Sequence, residues 1–418
     1  MFLLFTPITK AIAIFSIYNL AFNISNANGQ TLSQDKAVET ALKNNQSLKS
    51  AEFGIDYSRQ LKRTATDIGK TSVVWMHGQY NSIYQDNNFT ITQAIPFPTT
   101  LINQSKLGQE QLVGSQKNLV ALQNEIAYQV KSTYEQLQYQ DALRDLLRRQ
   151  DTLYQDFSKA SFVRFKTGES NLLEKTTAET QYLEIQNQLR MNDADIDISA
   201  VRLQALLKSE NPIYNSDKIV KRSLSELTDS VLLEANPQLK FLQQEVIISN
   251  RLKRVERSKV LPDFSVGIFT QSLTGIQNID GVDNFFPNSK FFNGFQLGLN
   301  IPLWISPHLA RAKAAGFHEE VVRKNTDAFE TTLKSSYVQA ARELKKNEAS
   351  LRYYENSALK NADLIISQSQ KAYRGGEIGY IEYLQSLKIA LSIKNNYLLS
   401  LTQYNQSVLK IEFLLGKI

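Results

Sequence analysis

The chain has 418 residues, with 47 Lys or Arg against 41 Asp or Glu (formal charge +6) and no Cys. The missing thiols exclude a disulfide framework, Cys-ligated metals and a lipid carried on an N-terminal Cys. The cationic excess is spread through mixed-sign stretches, without the clustered block of a nucleic-acid footprint, and scarce Gly (17) and Pro (9) point to helices with one apolar stripe.

At the start, Lys10 precedes the apolar run Ala11-Ile12-Ala13-Ile14-Phe15-Ser16-Ile17, too short to span a bilayer. Ser25-Asn26-Ala27 then supplies the small residues a signal peptidase reads, so residues 1–27 read as an export signal. The competing reading is an ordinary buried N-terminal helix. No other stretch offers the ~20 apolar residues of a membrane helix, so any membrane crossing falls to strands.

Leu32-Ser33-Gln34-Asp35 opens a helical region, with Ser33 as cap, Asp35 against the helix dipole and Leu32 stapled onto Ala37. Asn45 starts a helix expected to reach about Lys70. The period then changes over about 72–80 and 88–96, where Phe89, Ile91 and Ile95 alternate with Asn88, Thr90 and Ala94. Ile95-Pro96-Phe97-Pro98 ends the second strand. From about Leu101 to Phe165 no proline occurs, and Leu119, Leu122, Ile126, Val130 and Tyr134 keep spacings of three and four. Such a helix is on the order of 100 Å long. Gly168 breaks it, and a return helix runs to about Leu207.

The plan then repeats. Asn236-Pro237 starts a helix to about Lys259. Strands are expected at about 263–270 and 294–302, around a surface loop from Gln271 to Gly294. After Ile301-Pro302-Leu303-Trp304 a second long helix carries Phe329, Leu333, Tyr337, Ala340 and Leu344. It breaks at Gly375-Gly376, and a return helix ends near Leu415. Pairing Lys131 with Lys334 gives a shift of 203, and Gly168 with Gly376 a shift of 208; the longer second loop is the expected cause of the difference. A unit of about 200 residues is too long for a solenoid repeat. The chain divides into a signal peptide (1–27), a first repeat (28–210), a connector (211–227) and a second repeat (228–418).

Alternation gives each strand two chemically distinct faces. Half-buried strands of a soluble sheet show this too, but here the neighbouring helices look occupied with one another. Strands crossing lipid must pair every backbone group, and four cannot close a barrel whose smallest form has eight. Three chains would supply twelve.

An export signal, a duplicated half, strand pairs leading through proline into long helices, and glycine turns at the far ends together resemble the TolC-like outer membrane factors over about residues 31–418. Ile95-Pro96-Phe97-Pro98, and Ile301 to Trp304 through His308-Leu309-Ala310-Arg311-Ala312, look most like the heavy-metal branch, the CusC and CzcC type. The Gly-Gly pair common after the strand-ending proline elsewhere in the family is missing, and lipidation, frequent in the branch, has no Cys to act on.

The resemblance implies a mainly α fold with a small β part: a homotrimeric twelve-stranded outer-membrane β-barrel continued by a periplasmic α-helical barrel. Such a protein is a passive duct of a tripartite efflux system, working with a periplasmic adaptor and an inner-membrane RND-type pump, with heavy-metal cations as the expected cargo and no enzymatic activity. Drugs or secreted polypeptides through the same duct are the alternative cargo; a secreted coiled-coil scaffold without a pore is the alternative class.

By the same resemblance, Phe165, Lys166, Gly168, Glu169, Tyr373, Arg374, Gly375 and Gly376 match the adaptor-docking tips. Family members line the closed periplasmic aperture with a carboxylate six residues past the tip glycine, here Glu174 and Glu382. Gln385 replaces a second aperture carboxylate. Threefold symmetry would turn each Glu into a cation-attracting ring. The plainer readings are helix termination at Gly168 and Gly376, a capping pair Asn171-x-x-Glu174, and a solvated charge at Glu382. Catalytic, cofactor and metal sites are not expected: His77, His308 and His318 are scattered, Met1, Met76 and Met191 are isolated, and no phosphate-cradling loop or Ser/His/Asp set occurs.

Overall fold

The computed structural model describes residues 30–223 and 230–418; the export signal expected over 1–27 lies outside them. Strand β1 (Gln30–Leu32) leads into helices α1 (Gln34–Asn44) and α2 (Gln46–Arg63), strands β2 (Ser72–Gly78) and β3 (Asp86–Ile95), and helices α3 (Pro98–Lys166) and α4 (Leu172–Leu207). After β4 (Ile213–Asn215) come α5 (Pro237–Ser258), β5 (Asp263–Ser272), β6 (Gly275–Ile279), β7 (Val282–Phe286) and β8 (Phe291–Asn300). Then follow α6 (Ile305–Tyr353), a π-turn at Tyr354–Ala358, α7 (Leu359–Arg374) and α8 (Tyr380–Leu414). Helix α2 stops before the expected Lys70 because Thr64–Thr66 tighten into a 3₁₀ turn.

Pro98 sits in the first turn of the 69-residue α3, where its missing N–H has no intrahelical partner to lose. The long helices end alike. Gly168 and Gly376 adopt φ of +75° and +74°, and the N–H groups of Glu169 and Glu377 donate back to the Arg164 and Ala372 carbonyls, each at 2.9 Å. After α8 the same place is taken by Gly416 (φ +67°), but after α4 by Lys208 (φ +53°). A side chain in this region costs about 1 kcal/mol. Lys208→Gly is therefore expected to stabilise the chain by up to about that amount, read as a raised denaturant midpoint with unchanged slope.

Two equivalent asparagines splice helices end to end. Asn45 accepts the Ser47 N–H at 2.9 Å and donates to the Leu206 carbonyl at 3.3 Å. Asn236 accepts the Leu239 N–H and donates to the Leu414 carbonyl, both at 2.9 Å. Each amide satisfies a free donor of one helix and a free acceptor of another. Helix α4 thereby continues into α2, and α8 into α5. Ser33, the expected cap of α1, makes no side-chain cap bond; the Gln34 N–H donates to Asp217 Oδ2 at 3.1 Å instead.

Helices α3 and α6 begin at Pro98 and Ile305, a shift of 207 that the buried pairs Ile126/Leu333 and Leu137/Leu344 share. Pairing Lys131 with Lys334 is thus one turn out of register, because a helix presents nearly the same face every four residues. At Lys166 and Arg374 the shift is 208. The second long helix holds one residue more than the first, and the π-turn takes it up. The loop from Gln271 to Gly294 precedes both landmarks and does not cause the difference. It also carries the β6–β7 hairpin, which turns through Asp280 and Gly281, both at positive φ.

Near mid-height the repeats are clasped by one buried carboxylate, Glu135 of α3. Arg222 Nε donates to its Oε1 at 2.6 Å and Asn405 Nδ2 to its Oε2 at 3.0 Å. Asn405 also accepts the Arg222 N–H at 3.0 Å, and the Arg222 guanidinium donates to Gln34.

Four strands form one antiparallel sheet in the order β2-β3-β5-β8. Its register sets Trp75, Ile91, Ile268, Phe295 and Leu297 on one face and Thr90, Thr92, Gly267, Gln296 and Gly298 on the other. Phe295 and Leu297 are 78% and 75% exposed. No described helix packs over the sheet, and β2 and β8 leave its outer edges unpaired. No described helix is long and apolar enough to cross a membrane.

Candidate functional site

Two helical hairpins, α3/α4 and α7/α8, meet at the end far from the sheet. Helix α4 is started by Asn171, whose side chain accepts the Glu174 N–H at 2.9 Å. Helix α8 starts after Gly379, and Glu382 reaches back to the Gly379 N–H at 3.2 Å. Both aperture candidates therefore sit in the first turn of a helix, but only Glu382 caps with its carboxylate, and their surroundings differ.

Glu174 is buried, with 4% of its surface exposed. It accepts the Ser170 hydroxyl at 2.7 Å and, across the hairpins, the Tyr373 hydroxyl at 2.8 Å. The Arg164 guanidinium lies 3.5 Å away and also sits over the Tyr373 ring, 5.4 Å from its centroid. Tyr373 stacks on Tyr383 with centroids 4.6 Å apart, and Phe157 meets both rings edge-on. Burial pushes the Tyr383 phenol up to about 12 and raises the Tyr373 phenol too. Tyr373 is accordingly a hydrogen-bond donor to Glu174 across the physiological range. The arrangement is a lock between the two halves: one carboxylate, one phenol, one guanidinium and an aromatic stack.

Glu382 and Gln385 are exposed one turn apart on α8. Positions 165 and 373, equivalent in the repeat, also differ: Phe165 is exposed while Tyr373 is buried, so Tyr373 does not offer itself to a docking partner in this conformation. Lys166, Gly168, Glu169, Gly375 and Gly376 lie on the turns, and Arg374 sits 3.8 Å from Asp156. Around them the tip exposes Phe162, Leu172, Leu173 and Ile381, and Lys166 covers the Phe162 ring at 4.7 Å. Sequence reasoning missed Arg164, Tyr383 and the Leu172-Leu173 pair. The apolar pair directly before an acidic first turn was the available signal for the last. Among the described residues no group of His, Cys, Asp or Glu could hold a metal ion.

No protein family's sequence model matches the chain, and no curated protein does. Solved structures do. The chain is similar to CusC, whose structures concern folding and transmembrane channel formation, with a TM-score of 0.74 at 16% identity over 93% of each chain. It is similar to the Campylobacter jejuni CmeC outer membrane channel (0.74, 15% identity, 92% of this chain and 85% of that one). The outer membrane protein VceC of Vibrio cholerae gives 0.73 at 14% identity over 92% and 96%. The chain thus has the fold of these outer membrane channels. The likeness to TolC-like outer membrane factors read from its sequence holds at the level of the fold.

Proposed function

We propose that three copies of this chain form a passive duct across an outer membrane, the exit of a tripartite efflux system. One observation carries the reading: a sheet with one apolar and one small or polar face that no described helix covers, open at both edges among the described residues. Three such sheets joined β8 to β2 close a twelve-stranded cylinder, satisfying the edges and placing Phe295 and Leu297 in lipid. Residues 28–210 and 228–418 are its two halves, and residues 1–27 direct export.

The helices continue the duct through the periplasm to the tips. There Phe165, Lys166 and the exposed Leu172-Leu173 pair present a surface for a periplasmic adaptor, which couples the duct to an inner-membrane RND-type pump. The Glu174–Tyr373 link holds the tips closed. Heavy-metal cations are the cargo this reading favours, passing without tight binding, and Glu382 rings the exit path with negative charge.

The mature chain is expected to extract with the outer membrane and to conduct cations in a planar bilayer, with Glu382→Gln lowering cation preference. A monodisperse monomer in plain buffer would remove the duct. For the cargo, deleting the gene should raise sensitivity to metal salts; sensitivity to amphiphilic drugs instead would reassign it.

A further inference from the structure

The chain's positive charge has one address. Four stretches flank the helix-side rim of the sheet: residues 59–71, 96–108, 251–263 and 301–313. Together they hold 12 Lys or Arg against 3 Asp or Glu, a net of +9 in a chain whose formal charge is +6. Everything outside them is net acidic.

The fold gathers these stretches at one height. Helices α2, α3, α5 and α6 pack side by side beneath the sheet. Thr100 Oγ1 donates to the Ser258 carbonyl at 3.2 Å, levelling the start of α3 with the end of α5. Gly108 of α3 lies so close to Lys62 of α2 that a Cβ there would sit 3.1 Å from the Lys62 backbone. Lys253 of α5 reaches Glu319 of α6 at 2.7 Å. The cations therefore lie within about three helical turns of the rim, roughly 15 Å.

Many of them have nothing to neutralise them. Lys253 and Lys259 are used in ion pairs, but Arg63, Lys70, Lys106, Arg254, Arg257 and Arg311 are exposed and form no ion pair with any described residue. Against them stands an exposed apolar rim: Leu303 and Trp304 are 83% and 85% exposed, with Ile68, Leu261 and Ile305 beside them. Apolar and aromatic groups belong at the boundary of acyl chains and headgroups, while long cationic side chains extend to phosphate depth. On a soluble domain the cations would be hydrated, but the apolar rim beside them would stay exposed to water. Continuous with a lipid-facing sheet, the band matches a leaflet that carries negative charge.

We propose that this collar binds the phosphate headgroups of anionic phospholipids in the leaflet facing the helices, and so sets the depth at which the sheet sits. The inference rests on the duct reading of the sheet. It adds a ligand class, anionic glycerophospholipid, and names the residues that take it.

The chain has two tryptophans, so Trp75→Phe leaves Trp304, at the collar, as the sole tryptophan, excited selectively over the tyrosines at the red edge of the absorption band. The mature protein carrying this change is reconstituted into phosphatidylcholine vesicles doped with brominated phosphatidylglycerol or brominated phosphatidylcholine. The brominated anionic lipid is expected to half-quench Trp304 at a mole fraction at least about five-fold lower than the zwitterionic one, the preference that one cation near a charged surface supplies. Adding Lys70→Gln, Arg254→Gln, Arg257→Gln and Arg311→Gln should abolish the preference and leave quenching by phosphatidylcholine intact. Equal quenching by the two lipids in the Trp75→Phe protein overturns the proposal, as does a preference that survives the four substitutions. Excess inorganic phosphate, compared with chloride at matched ionic strength, should not compete; competition would mark a free-anion site and overturn it too. A Trp304 that neither lipid quenches sinks the duct reading itself, so the two failures are distinct.

Discussion

Glu174→Ala is expected to loosen the helical tips and raise single-channel conductance several-fold, with little change in overall stability. The carboxylate accepts Tyr373 across the hairpins and pairs with Arg164 inside its own hairpin. Its removal leaves the buried Tyr373 hydroxyl without its acceptor across the hairpins, which costs the closed arrangement about 2 kcal/mol. That is roughly thirtyfold in the population of separated tips. The Tyr373–Tyr383 stack lies within the α7/α8 hairpin and stays in place, while the Phe157 edge contacts cross the hairpins and weaken with the lock, so the hairpins unlock without melting. Tyr373→Phe keeps the ring and removes only the donor, and its effect should be smaller, about tenfold in the same population. If both variants conduct as the parent does, the link has no part in closing the path.

Glu135→Ala is expected to act on stability, lowering it by about 3–5 kcal/mol. Glu135 is 3% exposed and receives Arg222 from the connector and Asn405 from α8. Deleting it strands the Arg222 guanidinium, whose side chain is only 19% exposed. The cost comes chiefly from that unpaired charge, because a buried ion pair itself contributes little net stability. The double variant Glu135→Leu/Arg222→Met should therefore recover at least half of the loss in urea midpoint. A double variant as unstable as the single one would assign the loss to packing.

Much of the architecture was legible because its signals are local. Alternation marked the sheet strands, absence of proline marked the long helices, and Gly168 and Gly376 marked their ends. The register of the repeat was misread by a turn, since a stripe spaced by three and four residues looks alike at shifts of 203 and 207. The β6–β7 hairpin could have been seen, as Asp280-Gly281 between Ile279 and Val282 is a strong turn signal. The lock was half visible. Glu174 was found from its distance to Gly168, yet its burial depends on Tyr373, 199 residues away. The collar could not be seen as a cluster. Its charges come from four stretches of mixed sign, and only the side-by-side packing of α2, α3, α5 and α6 makes them one band.

The extra residue in the second long helix bears on which way its lower end faces. One residue advances an α-helix by about 100°, so an uncorrected insertion would swing Tyr373 a quarter-circle away from Glu174. The wider winding at Tyr354–Ala358 cancels that phase error locally, before it can reach the tip. Two halves of unequal count thus arrive at their meeting point in step. The correction is confined to the α7 side, where the phenol is aimed, and the unbroken α3 serves as the fixed reference.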